Sequence, residues 1–368
     1  MARSVVAEKM EAARRLGHVI AEQNPAVDSV YLAGSLTAGL GNPTSDADLF
    51  VLCETDSDEE DFPTQYSVDG HRVDVERFTV ARARRTVEDV ASFRLHRDRL
   101  TDLHKLADPL DFVFRLRSSE TVVDSPALDA LRRQVDTSLP DIQRTAVNYA
   151  AIAINGALED FLGAAVEGDF DTAAYAGQRL TAHAGKAVVF ASGDLYFSNK
   201  WVYKQLHRLG LKNFPMDAFT SYQRGSWAEG GTEQAEALIF FAQTWIAVAQ
   251  LLGSASVPVD AWPVRPAESA PAADGFWRNP SYNVLTVDTG VLLHWELRRQ
   301  LVLKEHIAYV WALCDGRTQE EISAGVTALA AYVPSLASLD DARIGTVLDA
   351  LKAKSLVSTT PYAALDAV

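Results

Sequence analysis

The chain has few cysteines and no long uninterrupted apolar run, and each shortage excludes a class of protein. Its two cysteines, Cys53 and Cys314, stand far apart, so neither a zinc site nor a disulfide framework is indicated. We find no run of about 18 apolar residues, the length that predicts a membrane-spanning helix. The N-terminus also lacks the apolar core of a signal peptide. These features predict a cytoplasmic protein without a membrane partner.

Positive charge is scarce as well. The 34 lysines and arginines face 49 aspartates and glutamates, which gives a formal net charge of −15. A phosphate backbone needs a basic groove, so this balance disfavours a nucleic acid as partner. It favours a cationic or neutral small molecule, or a peptide. A hydrophobic share of 48% in 368 residues is enough for two or three domains with their own cores.

The most informative motif lies in residues 30–51, where two apolar stretches carry a Gly-Ser pair and an Asp-x-Asp pair. Asp46 and Asp48 are two positions apart, which places them on the same face of a strand. Two such carboxylates repel each other, and Mg²⁺ would relieve that repulsion. Gly34 permits a tight turn, and Ser35 can cap a following helix whose amides would face a phosphate. This combination indicates phosphoryl or nucleotidyl transfer.

The same stretch resembles the signature of the DNA polymerase beta-like nucleotidyltransferase superfamily. The matching residues, in order, are Ala33, Gly34, Ser35, Asp46, Asp48 and Leu49. The resemblance implies two Mg²⁺ ions on the aspartates, an NTP as substrate with ATP favoured, and a third carboxylate on a neighbouring strand. The strict alternation of residues 72–78 offers Asp74 for that third acid, with Glu76 as its substitute. The alternatives are a hairpin whose aspartates only face water, and a structural polar residue at Asp74.

Residues 1–126 would form this catalytic domain, and several of its elements follow from periodicity. Apolar spacing predicts a helix over residues 5–20 and helical structure over 81–104. We expect further strands at 112–116 and 120–125. The acidic run at 54–61 lacks apolar partners and predicts a solvated loop without chemistry.

Residues 127–253 show long helical patterns, with helices predicted at 141–165, 171–192 and 235–252. The arrangement resembles the antibiotic-modifying nucleotidyltransferases, in which a helical domain closes over the catalytic sheet. Within it, residues 178–201 resemble the helix-loop-helix segment of that group. The resemblance implies that Lys200, just before Trp201, holds the triphosphate, with Arg179 and Lys186 as weaker candidates. A solvated lysine near a helix start is the alternative.

Residues 254–275 are rich in proline and alanine and predict a linker. Residues 276–360 change character, with a β-hairpin over 282–297 followed by helices at 304–314, 318–332 and 338–354. The string at 306–318, with its Trp-Ala-Leu-Cys-Asp-Gly turn, resembles the PqqD-like domains of peptide-modifying pathways. Such winged-helix-like modules bind the leader of a precursor peptide by strand addition. A module used for packing or dimerisation is the alternative.

Together these observations predict an α+β chain: a small mixed β-sheet nucleotidyltransferase core, a helical bundle and a winged-helix-like domain. We expect transfer of a nucleoside monophosphate, AMP favoured, to a small-molecule or peptide-linked acceptor in natural-product biosynthesis. An aminoglycoside-type antibiotic resistance enzyme is the first alternative. A non-catalytic peptide-binding or regulatory protein is the second. The apolar middle helices would also allow a homodimer.

Overall fold

The computed structural model describes residues 4–55, 64–265, 274–295 and 299–362. The chain divides into two compact units. The first contains Met1–Phe93, Lys105–Ile142 and Leu195–Lys204, and the second contains Arg94–His104, Gln143–Asp194 and Gln205–Val368. Helices and several small sheets coexist, so the α+β prediction is confirmed. The acidic run from residue 56 onwards and two prolines of the predicted linker, Pro266 and Pro271, lie outside the described residues.

A five-stranded sheet of order β3-β4-β2-β1-β5 forms the centre of the first unit. Its strands are β1 (Val27–Ala33), β2 (Ala47–Cys53), β3 (Thr64–Val68), β4 (His71–Thr79) and β5 (Glu120–Val123). The β2 and β4 strands run parallel, and every other neighbouring pair is antiparallel. Alternation along β4 buries Val73 and Val75 in the core and leaves Asp74 and Glu76 on the other face. This register fixes which acidic residues lie side by side.

Among the described residues of the first unit, the helices that lie wholly within it include α1 (Val5–Gln23), α2 (Gly34–Thr37), α3 (Val80–Ser92), α4 (Ala107–Arg117) and α5 (Pro126–Thr137). The Ser4 side chain caps α1, whose Met10 and Ala13 pack on the sheet core. The strand predicted at 112–116 is wrong, because these residues belong to α4. A short apolar run has no periodicity that separates a strand from a buried helix.

The helices of the middle region are α6 (Leu139–Glu167), α7 (Phe170–Ala191), α8 (Val202–Leu209), α9 (Met216–Gln223) and α10 (Gly231–Ser254). In the second unit α7 packs along α10. Two segments, Leu139–Glu167 and Ser226–Ser254, reach the length and average composition of a membrane-spanning helix, although polar residues interrupt the apolar run in both. The most apolar window is 50% buried inside the protein in the first and 78% in the second. Such burial is also found in core helices.

The last part of the second unit has two three-stranded sheets. One contains β6 (Phe276–Arg278), β10 (Asp315–Arg317) and β11 (Val357–Ser358), and the other contains β7 (Asn283–Val287), β8 (Gly290–Trp295) and β9 (Arg299–Leu303). The helices are α11 (Glu305–Ala312), α12 (Gln319–Ala330) and α13 (Asp341–Ala353). The predicted hairpin is present as β7 and β8. Its resemblance to a PqqD-like domain stays a prediction.

The predicted break after residue 314 contains the short strand β10, in which Gly316 has a φ of 90°. Part of the predicted linker is ordered, since Val259–Ala261 forms a 3₁₀ helix and Trp262 is buried. The domain boundaries drawn from the sequence stay a prediction.

Candidate functional site

A cavity of about 420 Å³ lies in the first unit at the start of β2. We call it the first cavity. Its lining is almost entirely polar and consists of Ser35, Asn42, Thr44, Ser45, Asp46, Asp48, Arg115, Tyr196, Lys200 and Trp201. Both Asp-x-Asp carboxylates, the serine of the Gly-Ser pair and Lys200 therefore share one cavity.

The two carboxylates of β2 differ in their surroundings. Asp46 precedes the strand and forms an ion pair with Arg72. Asp48 lies deeper, and its Oδ1 is 3.2 Å from Nη1 of Arg115. Burial raises the pKa of Asp48, Arg115 counters this, and the negative charges of Asp74 and Asp111 raise it further. Asp48 is thus a half-buried carboxylate with two acidic neighbours, which favours a bound cation.

The parallel pairing of β2 with β4 sets Asp74 directly opposite Asp48 and Glu76 opposite Phe50. An oxygen of Asp74 accepts a hydrogen bond of 3.0 Å from Nε2 of Gln65. The Asp74 carboxylate is also 3.7 Å from Nε of Arg72. Asp74 therefore lies beside the Asp-x-Asp pair, as expected for a third acid.

The Gly-Ser turn is shaped by its closeness to Asp48. Gly34 has a φ of +83°, and a Cβ atom at this position would lie 1.8 Å from Oδ2 of Asp48. The carbonyl of Ser35 accepts backbone hydrogen bonds from Leu40 and Gly41 at 2.9 and 2.7 Å. Only glycine allows this approach of the backbone to the carboxylate.

The segment Leu195–Lys204 supplies the remaining wall of the first cavity. Lys200 and Lys204 lie over the ring of Trp201, with Nζ 5.1 and 4.7 Å from its centroid. Lys204 also donates a hydrogen bond of 2.7 Å to the carbonyl of Leu40. Lys200 is the lysine of this pair that lines the cavity, while Trp201 is mostly buried.

The other two predicted cations belong to the second unit. Arg179 is 3.5 Å from a carboxylate oxygen of Asp160. Lys186 is buried and donates a hydrogen bond of 2.5 Å to Gln205. The weaker prediction for Lys186 is wrong, because its charge is enclosed and its ammonium group already has a protein acceptor. A role for Arg179 stays a prediction.

The sequence reasoning gave no role to five residues of the first cavity, and two of them, Arg115 and Tyr196, bring charge or a hydroxyl group close to Asp48 or Ser35. Arg115 lies on α4, and its Nε is 2.7 Å from Asp111 one turn earlier. Burial lowers the pKa of Arg115, but Asp111 and Asp48 outweigh it and hold the pKa above its usual range. Burial raises the pKa of Tyr196 to about 12, and its side chain is hydrogen-bonded to Ser35. The spacing of Asp111 and Arg115 is a helical signal that was hidden by the strand prediction.

The carboxylates Asp46, Asp48 and Asp74 fit a divalent cation by their chemistry, since Mg²⁺ prefers hard oxygen ligands. In this structure Arg72 and Arg115 provide the neutralising charge instead. Within residues 4–55, 64–265, 274–295 and 299–362, no group of three or more His, Cys, Asp or Glu side chains has the arrangement of a metal site. A metal ion at these carboxylates would compete with the ion pairs of Arg72 with Asp46 and of Arg115 with Asp48.

Comparison with known proteins agrees with this geometry. Residues 14–113 match the family model described as a nucleotidyltransferase domain. The match includes both Asp-x-Asp carboxylates and ends just before Arg115. No curated protein matches the chain. Residues 14–113 thus match a nucleotidyltransferase domain, and this domain supports a transferase with a general nucleotidyl transfer activity.

Proposed function

We propose that the protein is a magnesium-dependent enzyme that transfers a nucleoside monophosphate from an NTP to a small-molecule or peptide-linked acceptor. ATP is the favoured donor. The observation that supports this proposal most directly is the first cavity, whose lining includes Asp46, Asp48, Ser35 and Lys200. Acids for a metal and a cation for a triphosphate are thereby available in one space of about 420 Å³.

Asp46 and Asp48 would hold two Mg²⁺ ions together with Asp74, and the ions would neutralise charge on the triphosphate when bound. Lys200 would contact the triphosphate as a point charge. The turn at Gly34 and Ser35 would bring backbone amides close to its oxygens. Since little covalent chemistry falls to the protein, these residues act by positioning and charge stabilisation.

The transfer joins an acceptor oxygen to the α-phosphorus while the bond from that phosphorus to the β-phosphate oxygen breaks. Pyrophosphate leaves with the bonding electron pair. The proton of an acceptor hydroxyl would pass to Asp74, which lies opposite Asp48 in the sheet. Glu76 takes this role if Asp74 serves only as a ligand.

The proposal includes a role in natural-product biosynthesis because of the region formed by residues 276–360. A hairpin followed by helices, as in β7, β8 and α11, is compatible with a module that delivers a peptide-linked acceptor. A resistance enzyme has no evident need for such a region.

The test measures Mg²⁺-dependent binding of each NTP by calorimetry, then pyrophosphate release in the presence of acceptor mixtures. Mass spectrometry identifies the acceptor that gains a nucleotide. Asp46→Ala and Asp48→Ala should abolish release, whereas Asp89→Ala, an exposed aspartate on α3, should not. Equal turnover in all three variants would contradict the proposal.

A further inference from the structure

A second cavity, of about 340 Å³, lies in the first unit among β2, β4, α3 and α4. We call it the second cavity. It is lined by Phe50, Glu76, Phe78, Arg82, Thr86, Asp108, Pro109, Asp111, Phe112 and Arg115. The function proposed above places no ligand in it and uses only one of its lining residues, Glu76, as the alternative to Asp74.

Arg115 lines both cavities. Its guanidinium group is 3.2 Å from Asp48 and 2.7 Å from Asp111. Asp48 belongs to the first cavity and Asp111 to the second, so the row Asp48–Arg115–Asp111 separates them. A molecule in the second cavity would lie next to the proposed reaction centre.

The acidic side chains that line the second cavity outnumber its arginines, which leaves a net negative charge. Asp111 and Asp48 already share Arg115. In the part of the chain that the structure describes, Glu76 forms neither an ion pair nor a side-chain hydrogen bond. Glu76 lines the second cavity without an ion-pair partner of its own among these residues, so a cationic group of a ligand would pair with its carboxylate there.

Aromatic rings form the apolar wall of the second cavity. The centroid of Phe78 is 6.0 Å from that of Phe50 and 4.8 Å from that of Phe112. Arg82 already lies over Phe78 at 5.0 Å, which shows that this wall accepts a cation. Carboxylates and aromatic faces together suit an ammonium group attached to an apolar body.

We propose that the second cavity binds the acceptor, and that the acceptor is an amine with an aromatic or similarly apolar body, held by its ammonium group at Glu76. This rests on the proposed function, because only a transferase needs an acceptor. The oxygen that receives the nucleotide would belong to the same molecule and reach past Arg115 toward Asp48. The inference narrows the acceptor from any small molecule to a cationic one.

The test uses three probes of similar shape with the full chain: 2-phenylethylamine, 2-phenylethanol and 3-phenylpropionate, measured by ligand-observed NMR. We expect the amine to bind about tenfold more tightly than the alcohol, which is the effect of about 1.4 kcal/mol. In Glu76→Gln this preference should disappear while alcohol binding persists, which shows that the variant is folded. The matched control is Glu88→Gln, at an exposed position of α3. Equal binding of all probes, or a preference that survives in Glu76→Gln, would overturn the inference.

Calorimetry with Mg-ATP separates the two proposals. Amine binding that persists with saturating Mg-ATP supports an acceptor site. If Mg-ATP displaces the amine, the second cavity binds the nucleotide base instead, and the acceptor role is overturned. If none of the four NTPs binds with Mg²⁺, the proposed function fails and the acceptor role with it, whereas the probe series still decides whether the second cavity selects amines.

Discussion

The two units surround their cations in different ways. In the first unit, Arg115 and Lys200 pair with protein groups but also line a cavity. In the second unit, Lys186 and Arg278 are each 1% exposed. A cation at a cavity can exchange a protein partner for a ligand, whereas an enclosed cation cannot. Whether a cation lines a cavity or is enclosed therefore indicates its functional or structural role better than its residue type does.

The enclosed cations of the second unit have their partners inside the protein. Lys186 donates to Gln205, which in turn donates a hydrogen bond of 2.9 Å to Asp194. Arg278 donates to the carbonyl of Ala312 at 3.0 Å. Its guanidinium carbon is 4.3 Å from the ring centroid of Phe240. Burial lowers the pKa of Arg278 to about 10, and Asp315 partly offsets this. Such groups hold the core together.

The largest effect is expected at the first cavity. Asp48→Asn should reduce nucleotidyl transfer by about 10²–10³-fold, a loss of the size seen when one charge-stabilising element is weakened, because a neutral amide would hold Mg²⁺ less well than the carboxylate. It should not lower the urea midpoint of unfolding at pH 7, because the ionised form of Asp48 is disfavoured by burial. Transfer rates and urea unfolding measure the two effects. A parallel loss of activity and stability would contradict a functional role.

The same variant has a pH signature. The pKa of native Asp48 lies above its ordinary value of 3.8, so ionisation of Asp48 reduces stability as the pH rises above that value. The stability of Asp48→Asn relative to the wild type should therefore increase as the pH rises, and the difference in stability should vanish near pH 4. Urea midpoints at several pH values measure it. The control is Asp89→Asn, at an exposed position.

The next effect belongs to the enclosed cations. Arg278→Ala should cost about 3 kcal/mol of unfolding free energy, because it leaves a cavity and unpaired hydrogen-bonding groups. Arg278→Met keeps most of the volume and should cost less. Mg-ATP affinity should be unchanged in both variants, as measured by calorimetry. If Arg278→Ala keeps its stability but binds Mg-ATP more weakly, the conclusion that the enclosed cations of the second unit are structural would be wrong.

The sequence predicted the elements whose signal is local. Alternation placed Asp46 and Asp48 on one face, and the same rule placed Asp74 and Glu76 on the neighbouring strand. The tight turn at Gly34 also follows from a few adjacent residues. A period of two needs only a short window, which is why these predictions agree with the observed strands at Asp48, Asp74 and Glu76, whereas Asp46 lies one residue before β2.

The sequence could not predict which residues contact these acids. Arg115 and Tyr196 join the first cavity from distant parts of the chain, and no local pattern pairs them with Asp48. The strand predicted at 112–116 concealed Arg115, since its apolar run is equally compatible with a buried helix. Lys186 illustrates the reverse error, because burial inside a helical core is set by tertiary packing.

A smaller effect is expected at the turn of the first cavity. Gly34→Ala places a methyl group against the Asp48 carboxylate at a φ of +83°. We expect a larger loss of stability than the roughly 1–2 kcal/mol that a left-handed conformation with a side chain costs, because the added Cβ atom would also overlap the Asp48 carboxylate. Urea unfolding measures it. The control is Gly39→Ala, where φ is +69° but nothing lies within 4 Å of the added Cβ. An equal loss in both would show that closeness to Asp48 has no extra cost.

The smallest effect is expected for Lys200. Lys200→Ala should weaken Mg-ATP binding about tenfold, because one point charge near the triphosphate is lost at a cavity open to solvent. Stability should change by less than about 0.5 kcal/mol, as is usual for surface substitutions. Calorimetry and urea unfolding measure both, with Lys352→Ala on α13 as an exposed control. Arg179→Ala belongs in the same series, because a larger loss of affinity there than in Lys200→Ala would move the triphosphate contact to the second unit. That result would show that a cavity-lining position is not what makes a cation functional in this protein.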